Sequence, residues 1–406
     1  MSGQLIITNY LNNNKKYILT AYRQFDRIFD LDFFPSAGSD LGNIYIGLVR
    51  DIADNINAAF IEYKKDMRGY LSLDDNINFF FLNKKNTTKL CVGDYIIVQV
   101  IKEPIKTKDA VLSSEINIPG TYCACSCKNN VTESRNNIAF SKKINNSILI
   151  DEYKSLEDFK NKVINSLDSY DLSKFNIIIR TESAKALINQ ICDDVLIQIQ
   201  CIKNILNSAE NKPLYTCLYK GKPSYISLID KIGSSVDEII TDVPVLYDEI
   251  KKYNSNNNTK LYINGKITLN TIYKINDAVN EALSKKIWLK SGGFLVIEQT
   301  EAMVVIDVNT GKFQKGKNPE NTFLKINKEA ASEIGRQIRL KNLSGIIIVD
   351  FIDMKEQNNI QELLSHFKDI LSHDPVQTNL IDITALGLVE ITRKKTKMPV
   401  SQLLIY

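Results

Sequence analysis

AMVVIDVNTG at residues 302–311 and GIIIVDFIDM at residues 345–354 decide the fold of this 406-residue chain. Each is a short apolar run of strand length that ends on polar residues. Such runs, bounded by turn signals, read as buried strands of an α/β sheet. In the first, Asp307 and Asn309 stand two apart, and the strand period of two puts both on one face. A carboxylate plus an amide oxygen is a hard-oxygen pair suited to Mg²⁺ or Mn²⁺. The second run ends on Asp350. Between them, KINKEAASEIGRQIRL (325–340) has the amphipathic period of a helix. If that helix crosses between parallel neighbours, Asp350 lands beside Asp307 at the carboxyl edge of the sheet, where open α/β sheets place ligands. Taken alone, the same residues have a plainer reading. Asp and Asn before Thr-Gly are what a turn demands, and Asp350 fits an ordinary strand end.

Outward from this pair the pattern continues as strand, strand, helix, strand, helix. GGFLVIEQ (292–299) reads as a strand and NIQELLSHFKDILSH (359–373) as a second helix. The upstream half reads differently. Residues 5–34 alternate around a turn at LNNNKK (11–16), with a boundary at SAGSD (36–40). From 43 to 117 four short strands, NIYIGLVRDI, AAFIEYK, GYLSL and DYIIVQVIKE, lie between turn signals and suggest a small OB-type barrel. Strands and helices mix from 118 to 220, with helices expected at LEDFKNKVINSL and across 184–207. The polar run KKYNSNNNTK (251–260) reads as an exposed loop.

Composition sets the class. With 44% hydrophobic and 24% charged residues the chain is an ordinary globular protein, large enough for several domains. The net charge of +4 is too small to argue for nucleic acid without local clustering. MSGQLIITNY does not read as a signal peptide, and no run approaches a membrane span, so a cytoplasmic protein is expected. Seven cysteines without a secretory leader are expected as free thiols. Cys123, Cys125 and Cys127 alternate as on one face of a strand, either as small buried residues or as a metal or redox cluster. No C-x-x-C pair or nearby His completes a site. His366 and His373 are the only histidines, which argues against a His-based centre.

SGGFLVIEQTEAMVVIDVNTGKF (291–313), NTFLKINKEAASEIGRQIRLKNLSGIIIVDFIDM (321–354) and LGLVEITRKK (386–395) resemble the catalytic domain of the ribonuclease E/G family. The resemblance implies a metal-dependent endoribonuclease acting on single-stranded RNA in decay or ribosomal RNA maturation. Its products would carry 5′-phosphate and 3′-hydroxyl ends. It assigns Mg²⁺, with Mn²⁺ as the other choice, to Asp307, Asn309 and Asp350, and gives Glu301 and Asp353 supporting positions. The metal would activate water and steady developing charge.

The likeness extends upstream through GNIYIGLV (42–49), AAFIEY (58–63), RGYLSL (68–73) and KEPIKTKDAVLSSEINIPGTY (102–122). It implies RNA contact by Phe60, Tyr70 and Lys108, through base stacking and a backbone cation. Read on their own, Phe60 and Tyr70 also fit a barrel core. FNIIIRTES (175–183) matches a 5′-end sensor strand, with Arg180 and Thr181 on the terminal monophosphate. The implied mixed α/β architecture is an RNase H-like domain in two segments (1–36 and 220–282), an OB-fold domain (37–117), a 5′-sensor domain (118–219) and a deoxyribonuclease-like catalytic domain (283–406).

Four departures stand out. The family's C-P-x-C zinc-link is replaced by TKMPVSQLLIY, so no structural zinc and a monomer or weak dimer are expected. Ile46, Leu48, Pro375 and Gln377 stand where relatives tend to be basic, which weakens phosphate binding. Ala139 replaces a sensor Gly, and Asp109 puts an acid beside the RNA surface. The runs Arg336/Arg339 and 393–397 either face RNA or pair at the surface. Two rival readings remain: a catalytically weak RNA-binding protein that keeps the fold, and a metal phosphoesterase acting on another substrate.

Overall fold

The computed structural model describes residues 3–36, 38–74, 79–84, 88–104, 108–127, 137–232, 236–253, 258–311 and 319–405. Parts of the expected boundary at 36–40 and of the polar loop at 251–260 lie outside them. The chain divides into two compact units, residues 1–37 with 228–406, and residues 38–227.

The first unit opens with β1 (Gln4–Asn12), β2 (Lys15–Gln24) and β3 (Arg27–Pro35), an antiparallel meander. Asn13 and Asn14 form its first turn at φ 47° and 63°. Asn tolerates the left-handed region, and a two-residue turn of that kind matches strand twist.

The second unit begins with β4 (Ile44–Ala53), β5 (Ala58–Lys64), β6 (Met67–Ser72), β7 (Tyr95–Lys102) and β8 (Ala110–Ser113). They pair as β4-β5-β6-β8-β7, and β7 returns to β4, which closes a five-stranded barrel. That order is the one an OB-type barrel has. Ala59, Ile61, Tyr63, Leu71, Val98 and Leu112 fill it. A four-stranded sheet follows, ordered β11-β12-β10-β9, from β9 (Ile116–Pro119), β10 (Cys123–Cys127), β11 (Ile138–Phe140) and β12 (Phe175–Ile179). Helices α1 (Leu156–Leu167) and α2 (Ile188–Ala209) bury their apolar stripes with it. All seven cysteines are free, and Cys123, Cys125 and Cys127 are buried in this core. The alternating cysteines are therefore packing residues. Strand β13 (Cys217–Tyr219) pairs with β4.

Helix α3 (Ser224–Ile232) leads back into the first unit. There β14 (Glu238–Thr241) and β15 (Thr259–Leu261) join β1 in parallel, giving the sheet order β15-β14-β1-β2-β3. Helices α4 (Pro244–Tyr253), α5 (Leu269–Tyr273) and α6 (Ile275–Leu283) belong to this part. The final sheet is β16 (Lys286–Trp288), β17 (Phe294–Gln299), β18 (Met303–Asn309), β19 (Gly345–Asp350), β20 (Thr378–Ile383) and β21 (Val389–Arg393). Its order is β16-β17-β18-β19-β21-β20.

Helices α7 (Pro319–Leu340) and α8 (Gln357–Ser372) cover one face of that sheet. Ile326, Ala330, Ile334 and Ile338 of α7 recur at helical spacing and meet Leu295, Ile306, Ile347 and Val349. The other face is open, and Trp288, Met303, Val305 and Ile346 are exposed on it. Short α9 (Val400–Ile405) packs with α6 and the end of α7. Among the described residues no helix is long and apolar enough to cross a membrane.

Candidate functional site

Parallel pairing of β18 and β19 sets Asp307 directly against Asp350. The α7 crossover makes this possible, since parallel neighbours need a connection of helical length. Both carboxylates are exposed on the open face, while Ile306, Val308 and Val349 turn inward. Asn309 shares that face and donates from Nδ2 to Asp307 Oδ2 at 2.6 Å. Burial, then the charges of Asp307 and Asp353, push the Asp350 carboxyl above its ordinary range. Asp353 is thus close enough to Asp350 to be felt electrostatically.

Glycine shapes this strand end. Gly311 has φ +62°, and a Cβ there would come within 2.3 Å of the Gly292 carbonyl oxygen. A Cβ on Gly293 would meet the Asn309 carbonyl at 2.7 Å. The Gly-Gly turn between β16 and β17 therefore packs directly on the end of β18.

Asp307, Asp350 and Asp353 form no ion pair among the described residues. Among the described residues, negative charge is thus gathered here with no cation in direct contact. Among the described residues no group of three His, Cys, Asp or Glu side chains is spaced to hold a metal. Two carboxylates and an amide oxygen lie outside that definition, and as a donor set they fit a hard divalent cation.

The structure does not bring Glu301 to this pair. It sits in the turn before β18, six residues from Asp307, or ~20 Å along an extended strand. A residue that the sequence reading passed over does reach the site's support. Asn327 of α7 is fully buried. Its Nδ2 donates to the Ile352 carbonyl at 2.8 Å, and its Oδ1 accepts from the Ile352 N–H at 3.0 Å. It thereby fixes the segment that joins Asp350 to Asp353. The available signal was a polar residue at the apolar period of the helix.

The basic residues near this domain mostly turn inward. Arg393 is 4% exposed and grips Asp374, with Nε to Oδ2 at 2.7 Å. Arg336 bonds Glu333, Glu281 and the Ile28 carbonyl. Arg339 pairs with Asp30 at 2.5 Å and Lys397 with Asp32 at 2.6 Å. Glu329 of α7 accepts from the backbone N–H groups of Lys290 and Ser291. His366 is half-buried and meets Ser332 Oγ at 3.3 Å. Pro375 and Gln377 are exposed.

In the barrel, Phe60 and Tyr70 are cross-strand partners and half-buried. Their neighbours Ala59, Ile61, Gly69 and Leu71 point inward, so both rings belong to the outer wall and not to the core. The ring centroids are 6.2 Å apart at 70°. Arg68 lies over Phe60 at 4.7 Å and donates to Asp109 Oδ2 at 3.0 Å. The unexpected acid beside this surface is thus neutralised locally. Lys108 is exposed next to it, and residues 105–107 lie outside the described ones. Ile46 is 1% exposed, so the barrel has no room for a solvated cation there; Leu48 is half-buried.

In the four-stranded sheet, Arg180 and Thr181 follow β12. Arg180 Nη1 donates to the Gly120 carbonyl at 2.7 Å, and Thr181 Oγ1 meets Ser141 Oγ at 2.9 Å. Ala139 stands within β11, exposed and paired with Ile178.

Comparison with known proteins places these features. The model of the ribonuclease E/G family matches residues 118–396. Ribonuclease G of Haemophilus influenzae is 30% identical over 374 residues, 88% of this chain and 73% of that protein. Ribonuclease G of Escherichia coli is 28% identical over 381 residues, 90% of this chain and 74% of that protein. Ribonuclease E of a Nostoc species is 28% identical over 398 residues, 94% of this chain and 56% of that protein.

Proposed function

From the premise that the chain belongs to the ribonuclease E/G family and so is an endoribonuclease, we propose that it cuts single-stranded RNA with a divalent ion held by Asp307, Asn309 and Asp350. The observation that carries this reading is the direct register pairing of Asp307 with Asp350, on an open sheet face, where neither forms an ion pair among the described residues. When bound, Mg²⁺ or Mn²⁺ supplies a Lewis acid beside the phosphodiester. The chain's own residues do the rest. Asp307 and Asp350 provide the charged oxygens and Asn309 a neutral one. Asp353 adds charge beside Asp350, and Asn327 fixes the backbone that joins those two acids. Hydrolysis of the P–O3′ bond leaves a 5′-phosphate and a 3′-hydroxyl. RNA decay or ribosomal RNA maturation in the cytoplasm is the setting we propose.

Substrate holding falls to the barrel and the sensor sheet. Phe60 and Tyr70 offer half-exposed rings for stacking, worth ~1–3 kcal/mol per base, and Lys108 a cation for the backbone. Arg180, Thr181 and Ser141 present a guanidinium and two hydroxyls for a terminal phosphate. We read the sheet β15-β14-β1-β2-β3 as RNase H-like and the six-stranded sheet with α7 and α8 as deoxyribonuclease-like, on their strand orders.

The test is cleavage of an A/U-rich single-stranded RNA bearing a 5′-monophosphate. It is run with Mg²⁺, with chelator, and with Asp307→Asn. Internal cuts that need metal and fall by about a thousandfold in the variant are expected, since several kcal/mol of charge stabilisation is lost. Binding without any cutting by the wild-type chain would favour the RNA-binding reading instead.

A further inference from the structure

Resting on the endoribonuclease reading, we infer that Trp288, Phe294 and Lys286 form a stacking subsite for a nucleotide flanking the bond that is cut. Cross-strand register carries the inference. Trp288 pairs with Phe294, and Phe294 pairs with Asn309. In the adjacent row, Lys286 pairs with Val296, Val296 with Asp307, and Asp307 with Asp350. Directly paired residues project from the same face of a sheet. The two rings, the ammonium and the carboxylates therefore stand together on the one face that α7 and α8 leave open. Two strand spacings, ~10 Å, separate Trp288 from Asn309.

The group has the chemistry of a nucleotide contact. The Trp288 and Phe294 centroids are 5.3 Å apart at 61°. Lys286 Nζ lies 3.7 Å from the Phe294 centroid and 4.3 Å from that of Trp288. Lys286 forms no ion pair among the described residues, so its charge is free for a phosphate. Trp288 is 64% exposed, which core packing does not explain. A π-face beside a cation is how sequence-tolerant single-strand binders hold a base and its backbone.

The platform is also held in place. Glu329 Oε1 accepts from the Lys290 N–H at 2.6 Å and the Ser291 N–H at 3.3 Å. The Leu289 N–H donates to the Gly293 carbonyl at 2.8 Å. The close packing of Gly293 on Asn309 fixes the offset between the hairpin and the strand end that carries the acids. None of the positions identified from the sequence includes these three residues.

Trp288 is the single tryptophan of the sequence, so its fluorescence reports on this place alone. The experiment titrates a short single-stranded RNA into full-length Asp307→Asn protein, which keeps the RNA intact. Fluorescence and filter retention are followed in parallel. We expect a change in Trp288 emission that tracks the binding isotherm. In the otherwise wild-type chain, Trp288→Ala should raise KM roughly tenfold with kcat little altered, and Trp288→Phe should recover most of the loss. Unchanged thermal melts would show that both variants fold. RNA retention with silent fluorescence and an unmoved KM would overturn the subsite and leave the nuclease reading standing. Emission that follows protein concentration instead of RNA would overturn it in favour of contact between copies. Failure of the wild-type chain to bind or cut single-stranded RNA would sink the nuclease reading, and the subsite with it.

Discussion

Asn327 holds both backbone hydrogen-bonding groups of one residue, Ile352, between Asp350 and Asp353. Replacing it with Leu keeps the branched heavy-atom skeleton and removes both partners, leaving the Ile352 N–H and C=O unsatisfied. Each costs ~1–3 kcal/mol. Asn327→Leu should therefore lower the thermal midpoint and cut kcat by at least about tenfold, with KM less affected, as steady-state kinetics at saturating metal would show. A variant with full kcat and a normal melt would remove Asn327 from the site's support. At this scale the sequence was only partly readable. Asp307 and Asn309 are visible because strand period and residue type agree. Asn327 was passed over although it falls on the apolar stripe of α7, three and four residues before Ala330 and Ala331. Glu301 rested on the resemblance alone, and it lies before the start of β18, at the opposite end of the strand from Asp307.

Helix α7 shows where reading from one element fails. Its charges, read locally, belong on a wet surface. In the fold, Glu333 is 8% exposed and accepts from Arg336 at 2.7 Å, Arg27 at 2.7 Å and Gln337 at 2.9 Å. Arg27 comes from the start of β3, 306 residues earlier, and nothing near α7 in sequence announces it. The strands β18 and β19 were legible because each is a short apolar run whose end is marked by polar residues, although only one face of each is buried. Burial pushes the Glu333 carboxyl up, but hydrogen bonds and charge from Arg336, with Arg27 and Gln337, outweigh it and hold it below its ordinary range. A depressed folded-state pKa means that the unfolded chain binds the proton more readily in acid. The stabilisation is present above the unfolded value of ~4.3 and is lost as pH falls through the folded value. Glu333→Gln should cost about 1–3 kcal/mol at pH 7, because the buried Arg336 loses one of its two carboxylate partners and keeps only Glu281. It should also flatten the fall in thermal midpoint between about pH 5 and pH 3. Melts across that range decide it: parallel curves for the two proteins would mean that Glu333 does not carry the acid sensitivity.

For the whole molecule, charge bookkeeping decides how RNA is held. The sequence has 51 Lys and Arg against 47 Asp and Glu, a net of +4. Many of those cations are already committed within the protein. Arg50 pairs with Glu62, Lys64 with Asp40, Arg68 with Asp109, Arg339 with Asp30, Arg393 with Asp374 and Lys397 with Asp32. Each partnered cation gives up one bond to meet a phosphate, whereas the aromatic rings of Phe60, Tyr70 and Trp288 give up only partial cover. Affinity for single-stranded RNA should therefore lean on stacking more than on counterion release. If about two phosphates are neutralised, the slope of −0.7 per contact predicts less than about a tenfold loss of affinity from 50 to 200 mM salt. Six contacts would give a loss of a few hundredfold over the same range. Lys108→Ala should lower the slope by roughly 0.7, while Phe60→Ala should weaken binding and leave the slope alone. Filter binding across salt, on chains that carry Asp307→Asn, separates the two. A steep slope in the parent chain, or a Phe60→Ala variant whose loss disappears at high salt, would show that phosphate contacts dominate and that the aromatic surfaces are secondary.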